Sequence, residues 1–421
     1  MASPKLRFKE FDGDWIKVDI QTLVDEKIID KPMDGNHGEI HPVSADYVEN
    51  GIPFVMATDV IDGKVHLEKS KKIRKSQADS LRKGFSIEED ILLTHKATIG
   101  NVAKVPELET PYVMLTPQVT YYRVLNKDKL VPDFIKSTFE APIFQNELLA
   151  LCTGATRLYI GISEQRKLPF SYPSKEEQTK IASFLSAVDE KTSQLTHKHE
   201  LLSLYKQGMM KKLFSQQIRF KADDGSEFGK WEVKQLLEIA DVKGGKRLPK
   251  GYSLVNENTG HPYITVSDMN RSYGVDLENI RYVPLDAIGT ISRYTITDKD
   301  IFISVAGTLG IIGKIPSYLN GANLTENADK LTNLKCHQDF LIYLLDSGVL
   351  SGLIESTATT SAQPKLALYA IEQMEIIVPC LEEQTKIANF LFAIDQKIEK
   401  VAQQIEETKQ WKKGLLQQMF V

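Results

Sequence analysis

The side chains of this sequence that are suited to chemistry are clustered basic groups rather than nucleophiles or metal ligands. The densest basic run lies between positions 64 and 83, and sparser ones follow positions 243 and 271. Arginine and lysine hold phosphate oxygens, and arginine, asparagine and glutamine can read the edges of bases. The candidates for such contacts in these runs are Lys71, Lys72, Arg74, Lys75, Lys246, Arg247 and Arg271. The alternative for each of them is an ordinary solvated surface charge.

Polar residues at matching places in the two halves of the chain extend this set. Thr98 begins a Thr-Ile-Gly segment that Lys96 precedes, and Thr308 begins the matching Thr-Leu-Gly segment. Two turns of small residues, one containing Arg157 and the other Gln363, also fall at matching positions. These side chains either contact nucleic acid or cap a turn, and the sequence leaves both possibilities open.

Motifs of catalysis and of metal binding are missing from the sequence. It has no G-x-x-x-x-G-K-[ST] phosphate loop, no G-x-S-x-G elbow, no H-E-x-x-H helix and no Asn-Pro-Pro or Asp-Pro-Pro methyltransferase motif. Cys152, Cys336 and Cys380 lie far apart, which excludes a disulfide framework and the usual zinc spacings. His37 and His41 belong to a Gly- and Pro-containing loop rather than a metal-binding helix. We therefore expect no catalysis, no metal and no cofactor in this chain.

An internal repeat organises the whole chain. Residues 173–191 and 379–397 align without a gap, and 13 of these 19 positions are identical, including the run Glu-Glu-Gln-Thr-Lys-Ile-Ala. Looser matches precede each copy, among them a basic-aromatic pair followed by Trp15 in the first half and by Trp231 in the second. The chain is thus a tandem duplication of a diverged globular unit followed by a helix that has changed little.

Each repeat begins a long helix with an apolar seam. Pro173 and Pro379 suit the residues just outside a helix start, and the glutamates that follow complement the helix dipole. The seam recurs every seven residues, at Ile181, Val188, Leu195, Leu202 and Met209 and at Ile387, Ile394, Val401, Thr408 and Leu415. Such a seam favours a coiled coil. Pairing of the two helices within the chain is the simplest arrangement, and pairing with another subunit is the alternative.

The globular units mix strands with helices. Residues 91–94 and 119–124 have the β-branched and aromatic content of strands, whereas 133–151, interrupted by Pro142, and 339–354 are typical of helices. The sequence therefore predicts an α/β (α+β) fold with the domain limits 1–172, 173–216, 217–378 and 379–421.

The net charge of −4 is unusual for a protein that binds DNA without a partner protein. A partner that clamps the DNA would explain it, and would leave the isolated chain a weak binder. A helix of about 40 residues is roughly 60 Å long, or about 17 bp of duplex, so the helices could set the gap between two half-sites. No apolar run approaches the ~18 residues of a membrane span, and residues 1–19 lack a signal-peptide pattern, so we expect a cytoplasmic protein with no membrane contact.

With its duplicated Glu-Glu-Gln-Thr-Lys-Ile-Ala helices and Arg-Phe…Trp openings, the chain resembles a specificity subunit of a type I restriction–modification system over nearly its full length. The resemblance implies two target recognition domains, an antiparallel coiled coil with pseudo-twofold symmetry, and a bipartite site in double-stranded DNA. It also implies docking of two methyltransferase subunits, and restriction subunits that use ATP. The implied docking residues are Glu176, Glu177, Gln178, Lys180 and Phe184 with Glu382, Glu383, Gln384, Lys386 and Phe390. S-adenosylmethionine, ATP and Mg²⁺ are expected on the partner subunits.

Three other functions stay open at this point. A structural adaptor would use the repeated helices only for assembly and would show no sequence-dependent DNA binding. A free-standing DNA-binding regulator would bind tightly alone. The reading half of a fused restriction–methylation enzyme is disfavoured because repeat units lie next to both ends of the chain.

Overall fold

The computed structural model describes residues 4–38, 41–154, 157–358 and 365–421. The chain forms two compact units, Met1–His197 with Ala402–Val421 and Lys198–Val401. Each long helix therefore contributes one of its ends to each unit. The predicted Gln363 lies outside the described residues.

The strands of the two units are short. In the first unit they are β1 (Ile16–Asp19), β2 (Met33–Asp34), β3 (Tyr47–Val48), β4 (Ile52–Val55), β5 (Val60–Ile61), β6 (Lys64–Val65), β7 (Lys71–Ile73), β8 (Phe85–Ser86), β9 (Ile91–Lys96), β10 (Thr98–Lys104), β11 (Val113–Leu115), β12 (Val119–Tyr122) and β13 (Pro169–Tyr172). In the second unit they are β14 (Glu232–Gln235), β15 (Asp241–Gly244), β16 (Pro262–Ile264), β17 (Arg281–Tyr282), β18 (Thr295–Ile296), β19 (Ile301–Ser304), β20 (Ile312–Gly313), β21 (Ala322–Leu324), β22 (Ala328–Thr332) and β23 (Glu375–Val378).

The helices include the two long ones predicted from the repeat. They are α1 (Ile20–Asp25), α2 (Lys75–Ser80), α3 (Pro132–Glu140), α4 (Pro142–Ala150), α5 (Ile162–Gln165), α6 (Lys175–Phe214), α7 (Leu236–Ile239), α8 (Ile288–Ile291), α9 (Gln338–Leu344), α10 (Leu350–Ala358), α11 (Leu368–Glu372) and α12 (Leu381–Met419). Short 3-10 turns lie at Ser44–Asp46, Ala57–Asp59, Val266–Asp268, Leu285–Ala287 and Ser317–Leu319.

The two units share one sheet topology. In the first, an antiparallel sheet has the order β10-β9-β12-β2, and in the second the order β20-β19-β22-β15 repeats it. A second sheet contains one parallel pair in each unit, β4 with β11 and β16 with β21. A two-stranded antiparallel ribbon, β1 with β13 or β14 with β23, precedes each long helix. The duplication inferred from the helices therefore extends through the globular parts.

Each unit buries one end of both long helices in its main core. In the first unit Ile181 and Leu185 of α6 share a core with Leu415 and Met419 of α12. In the second unit the opposite ends meet, because Leu213 of α6 shares a core with residues at the start of α12. An N-terminal part thus packs beside a C-terminal part in each unit, so the two helices run antiparallel. Pairing within the chain and the mixed α/β fold are both confirmed.

Ion pairs repeat the same helix contact in both units. Asp189 of α6 accepts from Lys136 at 2.8 Å and from Lys412 of α12 at 2.6 Å. Asp395, its counterpart in α12, lies 2.6 Å from Lys206 of α6. Although burial opposes ionisation of Asp189, the two ammonium groups lower the pKa of its carboxyl. The carboxylate that the repeat keeps in both copies therefore joins the helices by charge.

The helices of the globular units depart from the prediction at one point. Pro142 ends α3 and begins α4, as expected from its missing amide hydrogen. The helix predicted over 339–354 is instead broken by a one-turn π-type segment, Leu345–Val349, in which Gly348 has a φ of 125°. That backbone conformation is accessible to glycine and divides α9 from α10.

Candidate nucleic-acid interface

The hairpin between β9 and β10 carries two of the predicted contact residues of the first unit and contacts the segment that carries a third. Ala97 turns the chain with a φ of 68°, which leaves Lys96 and Thr98 exposed on either side of it. The backbone of Ala97 donates to the carbonyl of Leu158 at 3.2 Å. This bond brings Arg157, also exposed, to the hairpin tip. Lys96, Thr98 and Arg157 therefore form one exposed group, which we call the hairpin site.

Tyr159 belongs to this group and was missed by the sequence analysis. It forms a bridge with Lys96, and 48% of its surface is exposed. Tyrosine joins an apolar ring to a hydroxyl donor, a combination frequent where proteins meet polar ligands. It lies two residues beyond the candidate turn, and no sequence pattern distinguished it.

A buried polar chain anchors the hairpin site from beneath. The His95 Nδ1 atom lies 2.9 Å from the carbonyl oxygen of Ile160, and Gln165 donates to the same oxygen at 3.2 Å. Tyr122 in turn donates to Gln165 at 2.8 Å. Burial lowers the pKa of His95, so its ring is neutral near pH 7 and bonds as an uncharged group. These bonds hold the segment that carries Arg157 and Tyr159 against the sheet.

The basic run of the first unit lies on a different sheet. Lys71 and Lys72 are in β7, which pairs with β3 and β4, and Arg74 and Lys75 lie at the start of α2. Lys71, Arg74 and Lys75 are exposed, and Lys75 pairs with Asp79 at 2.6 Å. The structure therefore groups these residues with one another rather than with the hairpin site.

The second unit carries other residues at the matching places. Thr308 lies exposed in the turn after β19, where its carbonyl accepts a bond of 2.7 Å from the Ser304 hydroxyl. Arg271 is exposed in the loop between Asn270 and Gly274 and is not joined to Thr308 by any contact among the described residues. The turn around Thr308 is therefore the counterpart of the hairpin tip, with Thr308 at the place of Thr98 and Ala306 at the place of Lys96.

Lys246 and Arg247 lie at the edge of a basic cleft in the second unit. Arg247 pairs with Glu326, whereas the Lys246 ammonium lies 5.5 Å from the centre of the Tyr294 ring. The cleft has a volume of about 350 Å³, and its lining includes Lys243, Gly245, Arg293, Tyr294 and Lys330. Lys243 and Lys330 are cross-strand partners in β15 and β22. Only strand register brings them together, so the sequence could not group them.

The identical glutamates of the two long helices are buried inside their own units. Glu177 is 1% exposed and accepts two bonds of 2.7 Å from Arg7. Glu383 is fully buried and accepts bonds of 3.1 Å and 2.6 Å from Arg219. Trp231 adds a third bond of 3.1 Å to Glu383. We call each such arrangement a glutamate clasp, since it fixes the start of a globular unit to a long helix.

Gln178 and Gln384 are buried in the same way. Gln178 accepts from the backbone of Val131 at 3.0 Å and donates to the carbonyl of Pro173 at 2.9 Å. Gln384 accepts from the backbone of His337 at 2.8 Å and donates to the carbonyl of Pro379 at 2.9 Å. The conserved amides thus satisfy backbone groups that would otherwise be unpaired.

The remaining docking candidates lie nearer the surface. Glu176, Lys180 and Glu382 are exposed, and Lys386, Phe184 and Phe390 are partly buried. Lys180 pairs with Glu10 at 3.2 Å. These side chains, rather than the clasp residues, are the accessible part of the repeated sequence.

Within the described residues, no group of histidine, cysteine and acidic side chains is placed to hold a metal ion. No described helix combines the length and apolar character that crossing a bilayer requires.

Comparison with known proteins gives matches over most of the chain. The model of the type I restriction modification DNA specificity domain matches residues 37–204 and again residues 229–410. The type I restriction enzyme MjaVIII specificity subunit of Methanocaldococcus jannaschii is 29% identical over 61% of this chain and 62% of its own length. The putative MjaX specificity subunit of the same organism is 26% identical over 85% of this chain and 84% of its own length.

A solved structure shares the fold. The type I restriction–modification S subunit from M. genitalium matches with a TM-score of 0.59 at 20% identity, over 100% of this chain and 99% of that one. The two family matches coincide with the two halves of the repeat, and their combined length is well over half of the 421 residues. The chain therefore belongs to the family of type I restriction–modification DNA specificity subunits.

Proposed function

We propose that this chain recognises a bipartite site in double-stranded DNA, one half-site for each unit, and directs methyltransferase and restriction subunits to it. The observation that carries this proposal is one scaffold, present twice, with different exposed residues. The Arg–Glu bonds of the two glutamate clasps and the sheet order are the same in both units, whereas the residues at the hairpin tips differ. Ala306 stands at the place of Lys96, and Lys365 at the place of Tyr159. A shared scaffold with different residues at the hairpin tips suits two domains that recognise different DNA sequences.

The chemistry of the tips agrees with such a role. Lysine and arginine at an exposed hairpin can contact phosphates or guanine, and threonine can bond to a base edge or contact a thymine methyl group. The family match spans both units and carries the description of a DNA specificity domain. The curated relatives are named specificity subunits of type I restriction enzymes.

Catalysis belongs to the partners in this proposal. Two methyltransferase subunits dock on the repeated surfaces that include Glu176, Lys180 and Glu382, and restriction subunits join that complex. S-adenosylmethionine, ATP and Mg²⁺ are bound by those subunits. The net charge of −4 fits a reader whose partner supplies much of the grip on DNA.

The paired helices set the spacer between the half-sites. The helices α6 and α12 contain 40 and 39 residues, and each contributes to both units. At 1.5 Å of rise for each residue, about 40 residues extend for roughly 60 Å, the length of about 17 bp. The spacer then follows from helix length rather than from base contacts.

Selection of DNA by the assembled complex tests the proposal. The chain is co-expressed with the type I methyltransferase subunit of the same host, and the purified complex selects duplexes from a random-sequence library. We expect two short constant blocks separated by a fixed number of random positions. A complex that forms but enriches no sequence would instead support a structural adaptor, and tight selective binding by the chain alone would support a free-standing regulator.

A further inference from the structure

The basic cleft of the second unit places like charges opposite each other. Lys243 and Lys330 are cross-strand partners, an arrangement that costs stability when no counter-charge intervenes. Arg293, also exposed, lines the same cleft and forms no ion pair with another described residue. The carboxylates nearby are Asp300, 3.2 Å from Lys330, and Asp241, 3.7 Å from Lys243.

The local charge remains positive after these pairs are counted. Lys246, at the edge of the cleft, lies over the Tyr294 ring and forms no ion pair among the described residues. Lys246 and Arg293 are thus cations without a carboxylate partner. Tyr294 is 37% exposed and offers a hydroxyl donor beside them. Cations and a hydroxyl around an open cleft suit a phosphate group.

The first unit makes the same backbone hydrogen bond at this place but carries a different charge. The amide of Leu115 donates to the carbonyl of Gly84 at 2.9 Å, as that of Leu324 donates to Tyr294 at 3.0 Å, so Lys83 corresponds to Arg293. Lys83 is paired with Asp34, a buried carboxylate.

The cross-strand pair that corresponds to the two lysines is also different. In β2 and β12 of the first unit it consists of Met33 and Tyr121. Gly84, with a φ of 87°, takes the place of Tyr294, so the first unit has no aromatic side chain there. The first unit therefore neutralises the position at which the second concentrates cations.

We propose that the basic cleft binds a backbone phosphate of the DNA at the half-site of the second unit, through Arg293 and Lys243. The inference rests on the proposed function and adds that the two units differ in how they hold the DNA backbone. Because phosphate contacts carry no sequence information directly, the cleft contributes affinity and register rather than choice of bases.

The test compares the variant K243Q/R293Q with K230Q, each in complex with the methyltransferase subunits. Lys230 is exposed and forms no ion pair with another described residue, so K230Q removes one surface charge away from the cleft. Binding to target and non-target duplexes is measured by fluorescence anisotropy over a range of salt concentrations.

For K243Q/R293Q we expect the slope of log affinity against log salt to fall by about 0.9 for each lost contact, which is roughly an eightfold loss at 0.1 M salt. The loss should be equal for target and non-target duplexes. An unchanged slope, or the same change in K230Q, would overturn the proposal. A loss confined to the target duplex would also overturn it, because the cleft would then read bases.

Two further measurements keep the result interpretable. Thermal unfolding should show K243Q/R293Q at least as stable as the parent chain, since the substitution relieves like-charge repulsion. Calorimetry with inorganic phosphate and with dAMP separates a free nucleotide from DNA as the phosphate source. Tight dAMP binding that the variant abolishes, with an unchanged DNA salt slope, would contradict the proposal. Failure of the parent complex to distinguish target from non-target duplex would instead count against the proposed function.

Discussion

At the scale of single residues, the buried carboxylates of Glu177 and Glu383 each join a long helix to the start of a globular unit. The family resemblance implied that both are docking residues, and both copies of the repeat keep them. The structure accounts for that identity by bonds to Arg7 and Arg219 within each unit. Sequence identity reports that a residue is constrained, but not whether the constraint acts inside the protein or on a partner.

Neutralising one clasp should destabilise the second unit. E383Q removes the carboxylate that Arg219 and Trp231 share, and we expect the free energy of unfolding to fall by about 2 to 3 kcal/mol, because one partner of a buried ion pair is lost. Chemical denaturation measures this change. The matched control is E382Q, whose side chain is exposed and which should change stability by less than about 0.5 kcal/mol. Equal effects of the two substitutions would contradict the clasp.

The buried carboxyl group of Asp329 should make the folding stability of the second unit depend on pH. This carboxylate is 6% exposed, and burial raises its pKa from 3.8 to about 6, with only a partial opposing effect of Lys365. Since the folded-state pKa is the higher one, the stability contribution is full below pH 3.8 and is lost as pH rises through about 6.

The substitution D329N removes that titration. We expect the variant to be more stable than the parent chain by about 2 to 3 kcal/mol at pH 8, and the difference to shrink as the pH falls towards 4. Urea denaturation at both pH values measures the two differences. A difference independent of pH would show that Asp329 ionises normally in the folded chain.

At the scale of elements, the long helices were predictable and the sites between strands were not. The heptad seam predicts α6 and α12 because apolar positions every seven residues define one buried stripe. The break at Gly348 was missed, because a single glycine within an apolar stretch does not by itself end a helix. The basic cleft depends on the pairing register between β15 and β22, and this register cannot be obtained from the sequence alone.

Lengthening both long helices by the same amount should lengthen the recognised spacer. Inserting one heptad into the middle of α6 and one into the middle of α12 adds about 10.5 Å, or about 3 bp, and keeps the apolar seam in phase. Both half-sites should stay the same. Sequencing of the methylated motif measures the result.

The control for this experiment is a heptad inserted into one helix alone. That insertion gives the paired helices unequal lengths and should reduce the yield of the complex. If the doubly extended protein keeps its methylation activity and its original spacer, the helices do not set the spacer length.

At the scale of the whole molecule, the acidic net charge and the basic sites have one explanation. Cations are concentrated at the hairpin site, around β7 and in the basic cleft, while the net charge of the chain is −4. We therefore expect the isolated chain to bind DNA weakly by electrostatics alone, because the attraction is local rather than general. Family membership was predictable from the repeated helices, whereas the residues expected to read bases were not, because the globular units have diverged in sequence.

The most direct test of the central claim is the methylome of the host, determined by long-read sequencing with this gene, without it, and after its return. We predict that one bipartite adenine-methylated motif, with two short blocks and a fixed spacer, disappears on deletion and returns on complementation. If the deletion strain still produces the methyltransferase and still methylates that motif, the assignment of sequence recognition to this chain is contradicted.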